Sequence, residues 1–113
     1  MYTRMRELLF MREEGRMRER EKSIEAYLRR RVEVAGGICY KFVAPGNDGV
    51  PDRIVILPGG SVTFVELKSK GGRLESIQRW QQDRIRKRGV DVRTIWTRQQ
   101  VDEFMQEKGG GCG

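Results

Sequence analysis

The chain has 113 residues and carries 23 Lys and Arg against 16 Asp and Glu, a net charge of +7. That length fits one domain with a modest core, so self-association as a homodimer is expected to help it. Its composition is 37% hydrophobic and 35% charged, too apolar for a wholly disordered chain. A pI near 9.9 favours polyanionic partners, nucleic acid first and anionic membrane second.

Some chemistries are excluded at once. There is no histidine, so neither imidazole acid–base schemes nor imidazole metal sites apply. Cys39 and Cys112 are far apart and form neither a disulfide framework nor a zinc motif. No apolar run approaches the ~18 residues of a spanning helix. A soluble, cytoplasmic protein is expected. Carboxylates without a His or Cys cluster suit hard cations, Mg²⁺ or Mn²⁺.

In chain order, residues 1–18 are rich in Met, Arg and Glu and read as an N-terminal extension, helical or frayed. Residues 19–108 read as the folded domain. Glu19 to Ala35 has a helical stripe of Ile24, Leu28, Arg31, Val32 and Ala35, stopped by Gly36-Gly37. Ile38 to Val43 reads as a strand. Pro45, Gly46, Asn47, Asp48, Gly49 and Pro51 make the next stretch a loop. Arg53 to Leu57 and Ser61 to Leu67 form a hairpin about Pro58-Gly59-Gly60.

A basic loop, Lys68 to Arg73, precedes a helix predicted over Leu74 to Arg88, with Leu74, Ile77, Gln78, Gln81 and Ile85 on one face and Gly89 as its cap. Val90 to Trp96 reads as a strand. Arg98 to Lys108 reads as a helix turning Val101, Phe104 and Met105 inward. Residues 109–113 read as a flexible glycine tail. The fold class is α/β: an α-β-β-β-α-β core with a final helix, whose mixed sheet has the hairpin at its centre and a crossover helix before the last strand.

The hairpin carries the chemistry. Asp52 opens its first strand and Glu66 nearly closes the second, so both reach one end of the sheet. Glu66 and Lys68 are two apart and share a face of the extended backbone. Two carboxylates holding a divalent cation beside an ammonium are suited to phosphodiester hydrolysis. The cation offsets charge on the phosphate and acidifies water, and the amine orients that water or stabilises the transition state. Spacing alone leaves a surface ion pair equally open.

Pro51-Asp52 followed by Glu66-Leu67-Lys68 on such a hairpin resembles the PD-(D/E)xK nuclease superfamily, whose restriction-endonuclease-like core has this element order. Glu25, Lys41, Gly49-Val50-Pro51-Asp52-Arg53, Phe64-Val65-Glu66-Leu67-Lys68 and Gln78 together resemble its VRR-NUC family, over residues 19–106. The resemblance implies a metal-dependent DNA endonuclease. Asp52, Glu66 and the Leu67 backbone carbonyl would hold Mg²⁺ or Mn²⁺, and Lys68 would orient the attacking water. Glu25 would be a further ligand, directly or through water. Gln78 would touch the site, and Lys41 would meet phosphate or the carboxylates. Homodimers and branched DNA, such as four-way junctions, are further implications.

From Lys68 to Arg88, eight basic residues face two acidic ones, Glu75 and Asp83, for a net +6. Lys70, Arg73, Arg79, Arg86 and Lys87, with Lys41, are the expected nucleic-acid contacts, salt-sensitive and indifferent to sequence. Nothing resembles a recognition helix, so selectivity for shape is expected. A binding module without catalysis is the alternative reading. Tyr40, Trp80 and Trp96 could stack on bases but are assigned no role.

Overall fold

The computed structural model describes residues 5–109, with side-chain surroundings from residue 20 onward. Its elements are α1 (Met5–Val34), β1 (Ile38–Lys41), β2 (Arg53–Leu57), β3 (Ser61–Leu67), α2 (Ser76–Arg86), β4 (Asp91–Ile95) and α3 (Arg98–Lys108). α1 runs from the N-terminal extension into the domain expected over residues 19–108, and the side chains before residue 20 lie outside the described set. Beyond Gly109, the tail and Cys112 also lie outside it.

α1 ends where the two glycines stop it. Gly36, at φ 88°, donates to the Glu33 carbonyl, and Gly37 donates back to Val32 at 2.9 Å. This pair of bonds satisfies the last carbonyls with a left-handed residue that glycine adopts without strain. Ala35 therefore falls past the helix end and is exposed, rather than on the buried stripe.

Three other boundaries move for physical reasons. β1 stops at Lys41, not Val43, because its only partner, β2, starts at Arg53 opposite Lys41. One more bond, Phe42 N–H to the Asp52 carbonyl at 2.7 Å, ends the ladder. α2 begins at Ser76, not Leu74, because Glu75 and Gln78 form a reciprocal capping box there. It ends at Arg86, with Lys87 as its C-cap. β4 spans Asp91–Ile95, the five residues that pair with Thr63–Leu67.

The sheet order is β1-β2-β3-β4, with the hairpin central. β1–β2 and β2–β3 are antiparallel; β3–β4 is parallel, as a helical crossover requires. This is the mixed α/β sheet flanked by helices that the pattern implies.

Alternation gives the sheet two unlike faces. On one, Val55, Leu57, Val65, Leu67 and Ile95 meet Ile24, Leu28 and Val32 of α1 and Val101, Phe104 and Met105 of α3 in one core. Each fully buried aliphatic side chain there contributes roughly 1.5–3 kcal/mol relative to exposure. Tyr27 Oη donates to Asp102 at 2.6 Å, and Arg31 also pairs with Asp102, fixing α1 to α3.

The opposite face is covered by α2 near β4 only. The residues that α2 buries are Gln81 and Gln82, while Ile77, expected inward, is 41% exposed. The reason is what lies beneath. Gln82 Nε2 donates to Thr94 Oγ1 and Gln81 Nε2 to the Asp48 carbonyl, both at 3.0 Å. Amides satisfy polar groups there that an aliphatic side chain would strand. Among the described residues no helix is long and apolar enough to cross a membrane.

Candidate active site

The C-terminal end of β3 gathers the predicted residues. Asp52, one residue before β2, accepts the Leu67 backbone N–H on Oδ2 at 3.1 Å. That bond places its carboxylate beside the strand end that carries Glu66. Glu66 is 4% exposed, on the α2 face of the sheet. Gln78 Nε2 donates to Glu66 Oε2 at 3.0 Å, and Lys68 Nζ lies 3.9 Å from the same oxygen. The strand alternation thus brings Glu66 and Lys68 to one face, and the first turn of α2 brings Gln78 to Glu66. The Gln78 side-chain oxygen serves the capping box, accepting Glu75 N–H at 2.8 Å, so one amide ties the helix start to the acid.

Glu66 is electrostatically strained. Burial, and then the charge of Asp52, push its carboxyl up from the usual range to about 7, against the opposing pull of Lys68. Its Oε1 is a buried side-chain oxygen with no hydrogen-bond partner among the described residues. A carboxylate with one oxygen held by an amide beside an amine, and the other without a described partner, leaves a donor atom for a cation. Among the described residues no three acidic or thiol side chains converge as a ready-made cage. The Asp52–Glu66 pair is what the sheet end offers, and hard oxygen donors of this kind fit Mg²⁺ or Mn²⁺.

The first helix supplies two more carboxylates. Glu25 lines a pocket of about 250 Å³ with Asp52, Lys41, Arg53 and Leu67, but its own Oε2 accepts from Arg29 at 3.0 Å and Arg53 Nε at 3.3 Å. Glu21, one turn earlier, lines the same pocket. Burial, followed by Asp52, raises its carboxyl above the ordinary value while Lys68 and Arg53 pull it down. Glu21 also raises Glu66. Glu21 is the α1 acid whose charge bears on Glu66, and it was not among the acids expected from the sequence. The available signal was its i, i+4 spacing from Glu25, which places both on one stripe.

The loop before Asp52 is built for close approach. Gly49 has φ 87°, and a Cβ there would sit 2.8 Å from Ile77 Cγ1 and 2.9 Å from the Ile77 carbonyl oxygen. Glycine is needed for both the backbone conformation and the fit against α2. With the Gln81 bond to Asp48, this docking aims Asp52 at the strand end.

The basic block is less concentrated than its sequence suggests. α2 starts at Ser76, beside Glu66, and runs back along the sheet, so Arg84 and Arg86 lie about 12 and 15 Å along the axis from its start, at 1.5 Å per residue. Arg84 sits over the Trp80 ring at 4.7 Å, and Arg86 bonds Gln82 and the Val92 carbonyl. Lys70, Arg73, Arg79 and Lys87 are exposed.

Comparison with models of known protein families finds no match. The phage protein named "Putative nuclease p44", of Acyrthosiphon pisum secondary endosymbiont phage 1, is 58% identical over 52 residues. That alignment covers 46% of this chain and 56% of the phage protein, so the chain spans about half of that relative's length. A solved structure described as "VRR_NUC domain" superposes with a TM-score of 0.75 at 33% identity, over 80% of this chain and 98% of that one. Coverage of nearly that whole domain, at such identity and with the hairpin motif residues gathered at one sheet end, shows that the chain belongs to the VRR-NUC family.

Proposed function

We propose that the protein is a metal-dependent DNA endonuclease that hydrolyses phosphodiester bonds. The observation that carries this reading is Glu66: buried, its Oε2 hydrogen-bonded by Gln78 and 3.9 Å from Lys68 Nζ, its Oε1 without a partner among the described residues, and Asp52 beside it. The name of the phage relative and the VRR-NUC fold support it. Asp52 and Glu66 would hold Mg²⁺ or Mn²⁺, joined by the Leu67 carbonyl, with Glu25 or Glu21 acting from α1. When bound, the metal supplies charge neutralisation at the phosphate and a lowered water pKa.

The chain's own groups do the rest. Lys68, two residues from Glu66, orients the attacking water and offsets charge developing on the phosphate. Gln78 holds the Glu66 carboxylate in one rotamer. Lys41, on the pocket that Asp52 lines, meets the phosphate.

Selectivity follows from shape. Among the described residues no element has the form of a recognition helix that reads base edges, and the cations are spread over loops and helix surfaces. Branched DNA, four-way junctions among it, is the proposed substrate, and the cytoplasm the proposed compartment. A homodimer is supported by the uncovered sheet face, where Ile38, Tyr40 and Val62 are exposed.

The test is incubation with branched and linear DNA in Mg²⁺ or Mn²⁺ and then in EDTA. Cleavage that needs metal, prefers branched DNA and falls by about 10²-fold or more in Lys68→Ala is expected. Retention of DNA without cleavage would instead mark a binding module.

A further inference from the structure

A second cleft, of about 530 Å³, opens at the same end of the sheet, between α1, the loop after β3 and the start of α3. Its cations are Arg20, Lys70 and Arg98, and among the described residues no carboxylate lines it. Among the described residues none of the three pairs with an acid. Arg98 donates to Ser23 Oγ and lies 5.4 Å from the Tyr27 ring centre, contacts that leave its charge uncompensated. Three cations facing one concavity repel one another, an arrangement that an anion relieves.

The remaining lining is suited to such an anion. Thr97 accepts the Gln100 N–H at 3.0 Å, which leaves its hydroxyl proton free to donate. It also caps α3, whose N-terminus adds partial positive charge to the cleft wall. Trp96 is held by its indole N–H on the Gly72 carbonyl at 2.7 Å, so its ring stands in one orientation at the cleft.

The cleft adjoins the candidate active site through the backbone. Arg20 and Ser23 face it, while Glu21, Lys22 and Glu25 of the same α1 turns face the acidic pocket. Lys70 lies two residues beyond Lys68. Trp96 follows Ile95, which pairs with Leu67.

We propose that this cleft is a phosphate-binding subsite, in which Arg20, Lys70 and Arg98 seat a non-scissile phosphate of the DNA strand whose scissile phosphate lies at Asp52 and Glu66. This rests on the nuclease reading. A strand held at two neighbouring points is fixed in direction, which delivers one bond to the acids. The seated group is either an internal phosphodiester or a terminal phosphate.

The experiment measures binding of the full-length chain to DNA in EDTA, where no cleavage occurs, as a function of salt. Lys70→Ala, Arg20→Ala and Arg98→Gln are each expected to weaken binding uniformly across sequences and to lower the salt slope by about one. Lys70 is exposed and makes no bond to a described residue, so Lys70→Ala tests the idea without disturbing the fold. A thermal melt checks the two arginine variants. Titration of ¹⁵N-labelled protein with inorganic phosphate is expected to move the Trp96 indole signal, and Arg98→Gln to abolish that movement. Tighter binding of 5′- or 3′-phosphorylated oligonucleotides than of unphosphorylated ones assigns a terminal phosphate; equal binding assigns an internal one. Wild-type affinity and salt slope in all three variants would overturn the subsite, whatever the cleavage assay shows. A reduced slope in a protein that never cleaves would overturn the nuclease reading and leave the subsite standing.

Discussion

Glu66 is the residue on which folding and the proposed function pull in opposite directions. Its carboxyl sits almost fully out of water, next to Asp52, and holds its proton up to about pH 7 against an ordinary value of 4.5. The metal-free folded state therefore binds more protons than the unfolded chain between those values, and stability falls as pH rises from about 4.5 to 7. Above that window the full cost, on the order of 3 kcal/mol, is present. Glu66→Gln is expected to remove the cost. In EDTA at pH 8 its urea midpoint should exceed that of wild type, while at pH 4 the two should nearly coincide. Equal midpoints at both pH values would show that Glu66 carries no such strain. The same substitution should abolish cleavage.

The site was legible to the extent that strand alternation fixes direction. Glu66 and Lys68 share a face because they are two apart, and Asp52 meets them because a hairpin returns to its start. The choice between Glu21 and Glu25 was not legible. Both lie on one stripe of α1, and which of them reaches the sheet end depends on the axial position of the helix over the strands, which no local pattern encodes. Arg29 and Arg53 occupy Glu25. Glu21→Ala is accordingly expected to reduce cleavage more than Glu25→Ala, measured as initial rates at saturating Mg²⁺. The reverse order would return Glu25 to the role first expected of it.

At the scale of elements, the loop from Ala44 to Pro51 is a positioning device and not a plain turn. Gly49 sits against Ile77 and Asp48 is held by Gln81, so the loop is clamped to α2 three residues before Asp52. Gly49→Ala must both adopt a positive φ and displace backbone. A loss of about 1–3 kcal/mol in stability is expected, with a fall in cleavage rate, read by denaturant unfolding and by assay. α2 shows where pattern reading stops. Its buried positions are glutamines because the sheet surface beneath is polar, so hydrophobic periodicity assigned Ile77 inward. α3, whose buried positions are all apolar and whose Thr97 cap is local, was legible to the residue.

At the other end of the sheet from the site, β4 and α3 are joined by charge. Burial works to raise Asp91, but hydrogen bonds and charge from Arg93 and Lys108 outweigh it and hold the carboxyl at about 2. Arg93 also pairs with Glu107. This clamp contributes stability that is complete above about pH 3.8 and is lost as pH falls toward 2.

For the whole molecule, a net +7 on 113 residues is expected to make association with the proposed DNA substrate strongly dependent on salt. The charge is not a single patch. It divides between the cleft beside the active site and the far end of α2, while the sheet face around Tyr40 stays apolar and open. A core shared by α1, the sheet and α3 leaves that face as the surface a second copy would cover. Sedimentation of wild type and Tyr40→Glu is expected to show a dimer and a shift toward monomer, respectively.

The proposed activity requires Asp52 and Glu66 to hold a hard cation between them. Mn²⁺ binding, followed by loss of the free-ion EPR signal at pH 8, measures this without requiring DNA or turnover. Wild type is expected to bind Mn²⁺, and both Asp52→Ala and Glu66→Gln to lose that binding while remaining folded by circular dichroism. Undiminished Mn²⁺ binding in both variants, or none in wild type, would contradict it.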